Sequence, residues 1–109
     1  MNIINKVTDE NYTQWIEKFV ARILKNAHIK YSKVVIDDIE PNKRVFLLVD
    51  DNEYTIRTWN YHVIKCDKNG IPCAENVEYS LYVMVEDDSG AHGEIVDEGR
   101  IKIEWNNNI

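Results

Sequence analysis

The pattern of hydrophobic positions changes once along the chain, from a helical period to strict alternation. Between residues 9 and 28, apolar side chains recur at the three- and four-residue spacing of one helix face. The members of this stripe are Tyr12, Trp15, Ile16, Phe19, Val20, Ile23, Leu24 and Ala27. Thr8 or Asp9 can cap the start, and Lys25 and His28 suit the negative end of the helix dipole. The pattern predicts one amphipathic helix over 9–28.

After this helix, apolar and polar residues alternate with the period of two that is typical of half-buried strands. The predicted strands lie near 31–39, 44–50, 53–67, 71–87 and 93–105. Short turns join them, so an antiparallel meander is the simplest topology. The helix has only this sheet to pack against. We therefore predict a single α+β domain over residues 1–109, with two layers: one N-terminal amphipathic helix packed on a five-stranded antiparallel meander sheet.

The dipeptide Asn69-Gly70, between the two longest predicted strands, favours a two-residue hairpin loop. This loop would place Cys66 opposite Cys73 and Thr58 opposite Leu81. Continued outward, the register predicts the pairs Ile56–Val83, Tyr54–Val85, Trp59–Ser80 and Arg57–Tyr82 and, through a three-residue turn at 89–91, Tyr79–Ile101 and Val77–Ile103. Because side chains alternate between the faces of a sheet, this register assigns every strand residue to one face or the other.

One helix can bury only one face of the sheet, so the second face has no predicted cover. The partner-binding residues predicted there are Phe46, Arg57, Trp59, Tyr61, Tyr82 and Met84. Trp, Tyr and Arg are the residue types that dominate interface hot spots, and large exposed apolar patches mark interaction sites. The alternative is that the sheet curls and these side chains pack on one another. The pattern favours a protein partner, with a homodimer as one form of it.

The chain has a formal net charge of −6 and a pI near 5.0. Binding to nucleic acid is disfavoured, because it needs clustered Lys and Arg, whereas a basic protein partner is favoured. The residues predicted to steer such a partner gather at one end of the meander: Asp50, Asp51, Glu53, Glu86, Asp87 and Asp88. The register sets Glu53 opposite Glu86. A solvated rim that blocks aggregation is the alternative. The spacing fits no EF-hand, and we predict no metal site.

Motifs for catalysis are not evident: the chain has no phosphate-binding loop, no HExxH motif and no nucleophile with a histidine and a carboxylate placed to activate it. We therefore predict no catalytic residue and no cofactor. Polar residues on the core-facing side, Asn60, His62 and Tyr79, leave open a small-molecule pocket between helix and sheet. The start of the chain is too short and polar for a signal peptide, and no apolar run could span a membrane. We expect a cytoplasmic protein in which Cys66 and Cys73 are free thiols, although their predicted spacing permits a disulfide.

A helix followed by a long-stranded meander resembles, in outline, cystatin-like inhibitors and several small bacterial immunity proteins, without a shared motif. The abundance of Ile, Asn, Lys and Tyr is typical of AT-rich genomes, such as those of low-GC bacteria and their phages. We therefore expect a non-enzymatic acidic protein-binding module, a small cytosolic inhibitor of the immunity-protein or phage anti-defence type. The alternatives are a small-molecule-binding domain or minor enzyme, and a homo-oligomeric structural subunit.

Overall fold

A computed structural model describes residues 3–6, 13–40, 43–66, 68–69 and 72–104, with the side chains at 13–15, 60–66, 72–75 and 103–104 left out. Its elements are β1 (Ile3–Asn5), α1 (Thr13–Asn26), β2 (Val34–Glu40), β3 (Arg44–Val49), β4 (Asn52–Cys66), β5 (Pro72–Asp87) and β6 (Gly90–Glu104). The predicted helix and all five predicted strands are therefore present. The predicted helix start at Thr8 or Asp9 lies outside the described residues.

The sheet has six strands in the order β1-β2-β3-β4-β5-β6. Strand β1 runs parallel to β2, with Ile3 opposite Val34, while the other neighbours are antiparallel. The α+β class is confirmed, but the prediction of five strands in an all-antiparallel sheet is wrong. Strand β1 has only three residues, which are too few to show the alternation that predicts a strand from the sequence. Its parallel direction follows from the helix that connects it to β2, as in other crossover connections.

Helix α1 packs its apolar stripe on one face of the sheet. Ile16, Phe19, Val20, Ile23 and Leu24 are each at most 1% exposed. The strand residues that complete the core are Val34, Ile36, Val45, Leu47, Val49, Ile56, Val77, Tyr79, Leu81 and Ile101. Alternate positions of β2 to β5, and Ile101 of β6, thus face the helix. Within the described residues, no helix has the length and apolar character that a membrane span requires.

The end of α1 is set by a Schellman motif. The Ile29 N–H donates to the Leu24 carbonyl and the His28 N–H to the Lys25 carbonyl, each at 3.0 Å. His28 adopts the left-handed conformation, with φ 58°, that this motif needs. The Arg22 guanidinium also donates to the Lys102 carbonyl, which ties the helix to β6. This bond connects the outer strand β6 to the helix layer.

The register of β4 and β5 differs from the prediction by two residues between Tyr54 and Trp59 and by one at Cys66. Thr58 lies opposite Tyr79, Ile56 opposite Leu81 and Tyr54 opposite Val83, while Cys66 lies opposite Pro72 rather than Cys73. The ladder is irregular between Trp59 and His62 and again between Val63 and Cys66. The predicted pairs are therefore wrong, but a shift by an even number keeps each side chain on its predicted face.

The β5–β6 hairpin shows the same kind of shift. Val77 lies opposite Ile101 and Tyr79 opposite Gly99, because Asp87 pairs with Gly90 across a two-residue loop. The predicted three-residue turn at 89–91 is wrong. The Asp87 carboxylate accepts hydrogen bonds from the Ser89 N–H at 2.8 Å and its hydroxyl at 2.6 Å. These local bonds start the turn earlier than the apolar pattern indicates.

Candidate functional site: an open sheet face with two charged ends

The face of the sheet opposite α1 has no covering layer within the described chain, and we call it the open face. Its residues on β2 to β6 include Asp38, Arg44, Phe46, Leu48, Glu53, Thr55, Arg57, Trp59, Glu78, Ser80, Tyr82, Met84, Ile95, Glu98 and Arg100. On β3, Val45 and Leu47 are at most 3% exposed towards the helix, whereas Phe46 between them is only half-buried. Alternation thus separates a filled core from an uncovered surface.

The structure brings five of the six predicted partner-binding residues onto this face: Phe46, Arg57, Trp59, Tyr82 and Met84. The side chain of the sixth, Tyr61, lies outside the described ones. Phe46 and Tyr82 flank Thr55 in one cross-strand row, which continues to Ile95 on β6. Trp59 and Met84 are 39% and 38% exposed. The aromatic face predicted from the register therefore exists, even though the register itself was wrong.

Ile95 is an addition that the sequence reasoning missed. It is 58% exposed, more than any other large hydrophobic residue for which exposure is described. The predicted register did not bring it beside Tyr82, its observed partner, because the β5–β6 ladder shifts between Leu81 and Tyr82. The signal in the sequence was the adjacent pair Ile95-Val96, which breaks the alternation as a bulge does. The apolar row of the open face thus reaches the outer strand.

One end of the open face is acidic. A groove of about 460 Å³, which we call the acidic groove, has Asp37, Asp38 and Glu53 at its rim and is also lined by Phe46, Leu47, Leu48, Tyr54, Thr55 and Met84. Lys6 lies 3.6 Å from Asp37, and the Asp38 carboxylate accepts the Ile39 N–H at 2.8 Å. Glu53 forms no ion pair within the described residues. The apolar lining and acidic rim suit a cationic side chain with an apolar stem.

The other end is basic, and the sequence reasoning missed it as a site. Lys43, Arg44, Arg57, Thr58 and Trp59 line a second cavity of about 460 Å³, the basic corner. Arg44 lies directly opposite Arg57 across β3 and β4, and like charges in that position repel. Only the β3–β4 register reveals this pair.

The two arginines are not equivalent. Arg44 donates to Glu40 Oε1 at 2.7 Å and lies 5.6 Å above the centre of the Phe46 ring, which offsets part of the repulsion. Arg57 is exposed and has no ion pair in the described part of the chain. An anionic group seated in the basic corner would therefore relieve the repulsion between these arginines through Arg57.

The residues of the predicted acidic end lie at two loops, the β3–β4 loop and the tip of the β5–β6 hairpin. Asp50 and Asp51 have φ of 47° and 70° and form a two-residue loop, so Val49 pairs with Asn52. The Asp50 carboxylate accepts the Ser32 N–H at 3.1 Å and the Lys33 N–H at 2.9 Å. Asp50 is thus engaged in the fold, where it fixes the segment that leads into β2.

Glu86, Asp87 and Asp88 lie exposed at the β5–β6 hairpin tip, beyond the last β4–β5 pair. The predicted opposition of Glu53 and Glu86 is therefore wrong. Hydrogen bonds from Ser89 lower the pKa of the Asp87 carboxyl. Among the residues that could be searched, no group of three histidine, cysteine or acidic side chains is arranged to hold a metal ion.

On the helix-covered face, polar groups are satisfied internally. The Tyr79 hydroxyl donates to Asp97 Oδ2 at 3.0 Å, and burial, together with this carboxylate, raises the pKa of Tyr79. The Thr58 hydroxyl donates to the Lys43 carbonyl at 3.4 Å. No buried side-chain nitrogen or oxygen lacks a partner in the described part of the chain. Tyr79 therefore needs no ligand, while the side chains of Asn60, His62, Cys66 and Cys73 lie outside the described ones.

Comparison of the chain with protein-family models, with curated proteins and with solved structures found no match. The geometry of the open face is therefore the basis for a functional assignment.

Proposed function

We propose that this protein is a non-enzymatic, acidic protein-binding module and that the open face is its binding surface. One observation carries the proposal: a row of apolar and aromatic side chains crosses a sheet face that no described element covers. Trp59, Met84 and Ile95 are each more than a third exposed in that surface. Soluble proteins rarely leave such patches without a partner.

The composition of the face supports binding over catalysis. Its central positions supply Tyr82, Trp59 and Arg57, the three residue types that most often act as interface anchors. Each lies on a long strand, and its backbone pairs with one or two neighbouring strands. A rigid platform lowers the entropy that a partner must overcome when it binds.

The inhibitor hypothesis is the specific form of this proposal. The net charge of −6 attracts a basic target over distances of about a Debye length, ~8 Å at physiological ionic strength. The acidic groove would accept a lysine or arginine of that target, and the aromatic row would supply contact area. In this form the protein would block its target by covering the target's basic surface.

The test is a capture experiment from the native host with matched variants. Trp59→Ala and Tyr82→Ala remove anchors from the open face, and Lys18→Ala changes an exposed helix position as the control. We expect the face variants to lose a specific captured protein, or self-association, at least tenfold, while the control retains it. Thermal unfolding of each variant must accompany the comparison. If the two face variants unfold much more easily and yet keep every association, the open face is packing surface and the proposal is wrong.

A further inference from the structure

Opposite charges lie at equal distances on either side of Thr55 on the open face. Glu53 lies two residues before it and Arg57 two residues after it on the same strand. At a rise of about 3.3 Å per residue, each charged residue is roughly 6.6 Å along the strand from Thr55. Along β4, the face therefore runs from acidic, through Thr55, to basic.

Neighbouring strands reinforce this polarity in part, while on β2 Asp38 lies in the Thr55 row and Glu40 lies opposite Arg44 in the Arg57 row. Asp37 and Asp38 share the acidic groove with Glu53, and Lys43 and Arg44 share the basic corner with Arg57. The row through Thr55 contains Phe46, Tyr82 and Ile95, with the exposed Asp38 opposite Phe46 at its β2 end. Glu98 lies in the same cross-strand row as Arg57 but two strands away, about 10 Å at the usual strand spacing.

A surface with this polarity is complementary to itself in one orientation. A two-fold axis that lies in the interface and runs perpendicular to the strands reverses the strand direction of the second copy. Glu53 of each copy then meets Arg57 of the other, and the Thr55 row, with Asp38 at its β2 edge, meets itself. A two-fold axis parallel to the strands would instead set Glu53 against Glu53 and Arg57 against Arg57, and such like-charge contacts disfavour association.

We propose that the open face binds a second copy of this chain in the antiparallel two-fold orientation, with Glu53 of each copy opposite Arg57 of the other. The inference rests on the proposed function, because it names the partner of the same surface. It also accounts for the opposed arginines, since the second copy supplies the anionic group that Arg57 lacks in the described chain.

The size of the face predicts a weak dimer. Five strands about 4.8 Å apart and seven residues at ~3.3 Å per residue give a face of roughly 24 by 23 Å, or about 550 Å² per copy. The total of about 1,100 Å² is at the low end for specific interfaces. Association should therefore depend on concentration and weaken as salt screens the charged pairs.

The decisive experiment uses two opposite charge reversals and their mixture. Glu53→Lys sets positive charge opposite Arg57, and Arg57→Glu sets negative charge opposite Glu53. Each variant alone should associate at least tenfold more weakly than the wild type in sedimentation equilibrium from about 10 μM to 1 mM. In an equal mixture, each Glu53→Lys copy meets an Arg57→Glu copy and both pairs become complementary. The mixture should recover association to near the wild-type level.

Three controls keep the outcome decisive. Lys18→Glu reverses a charge on the exposed side of α1 and should leave association unchanged. Circular dichroism must show that each variant is folded. If a charge-reversal variant does not fold, the pair Glu53→Gln and Arg57→Gln takes the place of the two reversals. The two glutamine variants should each weaken association, because neither homodimer keeps a Glu53–Arg57 pair. Their mixture should recover only part of it, because the mixed dimer restores one of the two pairs.

The self-association proposal and the binding function fail in different ways. A wild-type protein that stays monomeric up to 1 mM overturns the proposed dimer, and so does a mixture that shows no rescue. The open face could then still bind a different protein, and the capture experiment with Trp59→Ala and Tyr82→Ala would continue to test that function. Dimers that ignore both charge reversals would place the interface elsewhere on the molecule.

Discussion

The two faces of the sheet use the same strands but differ in what covers them. On β3, Val45, Leu47 and Val49 are at most 3% exposed under the helix, while Phe46 and Leu48 on the opposite side are only half-buried. Both sets are apolar, so hydrophobicity alone does not distinguish a core residue from a surface one. The position of the single helix decides which apolar face stabilises the fold and which remains available for binding.

Charge separates the two faces as well. The covered face holds few polar groups, and those described, such as Thr58 and Tyr79, have hydrogen-bond partners. The open face instead carries two arginines in direct opposition and an exposed Glu53. Unfavourable pairs persist more easily in solvent than in a core, because water screens them. The difference marks the open face as the part of the molecule that folding alone does not explain.

The strongest test of this comparison removes one apolar side chain from the helix-covered core and one from the open face. Ile23 is 0% exposed, so Ile23→Ala should lower the free energy of unfolding by about 2–5 kcal/mol through lost burial and a cavity. Met84 is 38% exposed, so Met84→Ala should cost less than about 1 kcal/mol. Urea unfolding measures both. Equal losses would mean that another part of the chain covers the open face.

A second prediction separates a structural carboxylate from its neighbour in the same loop. Asp50→Gly keeps the positive φ acceptable but removes the acceptor of the Ser32 and Lys33 N–H groups. It should cost about 1–2 kcal/mol in urea unfolding. Asp51→Gly is the matched control, because Asp51 also has positive φ and accepts no such bond in the described chain. If both substitutions are neutral, the Asp50 bonds contribute nothing and the residue is free for steering.

The smallest expected effect concerns a polar group of the covered face. Tyr79→Phe removes the hydrogen bond to Asp97 and should cost about 1 kcal/mol near neutral pH. The pKa of Tyr79 is raised above its ordinary value of 10.0 in the fold. Its contribution is therefore fully present below about pH 10 and is lost as the pH rises through the raised pKa.

Unfolding at a series of pH values from 7 to 11 measures this loss in the wild type. Tyr79→Phe should be less sensitive to alkaline pH over that range, because it has no phenol to ionise at this position. Tyr82→Phe on the open face is the control for deleting a hydroxyl and should change stability by less than about 0.5 kcal/mol at neutral pH. Identical alkaline sensitivity in the wild type and Tyr79→Phe would contradict the raised pKa.

The sequence predicted the faces better than it predicted the pairs. The Asn69-Gly70 signal led to a register that is two residues from the observed one over Tyr54 to Trp59, yet Trp59 and Tyr82 still lie on the face assigned to them. Asp50-Asp51 forms the two-residue loop with positive φ at both positions, which the sequence showed only as a turn. The short β1 strand gave no periodic signal at all.

By itself, the sequence determined the amphipathic helix, the five long or medium strands and the two faces of the sheet. These features depend on periods of 3.6 and 2, which are local and survive a shift by two residues. Only the tertiary structure decided where the ladders shift, that β1 joins as a parallel edge and that Arg44 meets Arg57. Such pairings depend on bulges, loop hydrogen bonds and contacts between distant segments, whose energies no local period encodes.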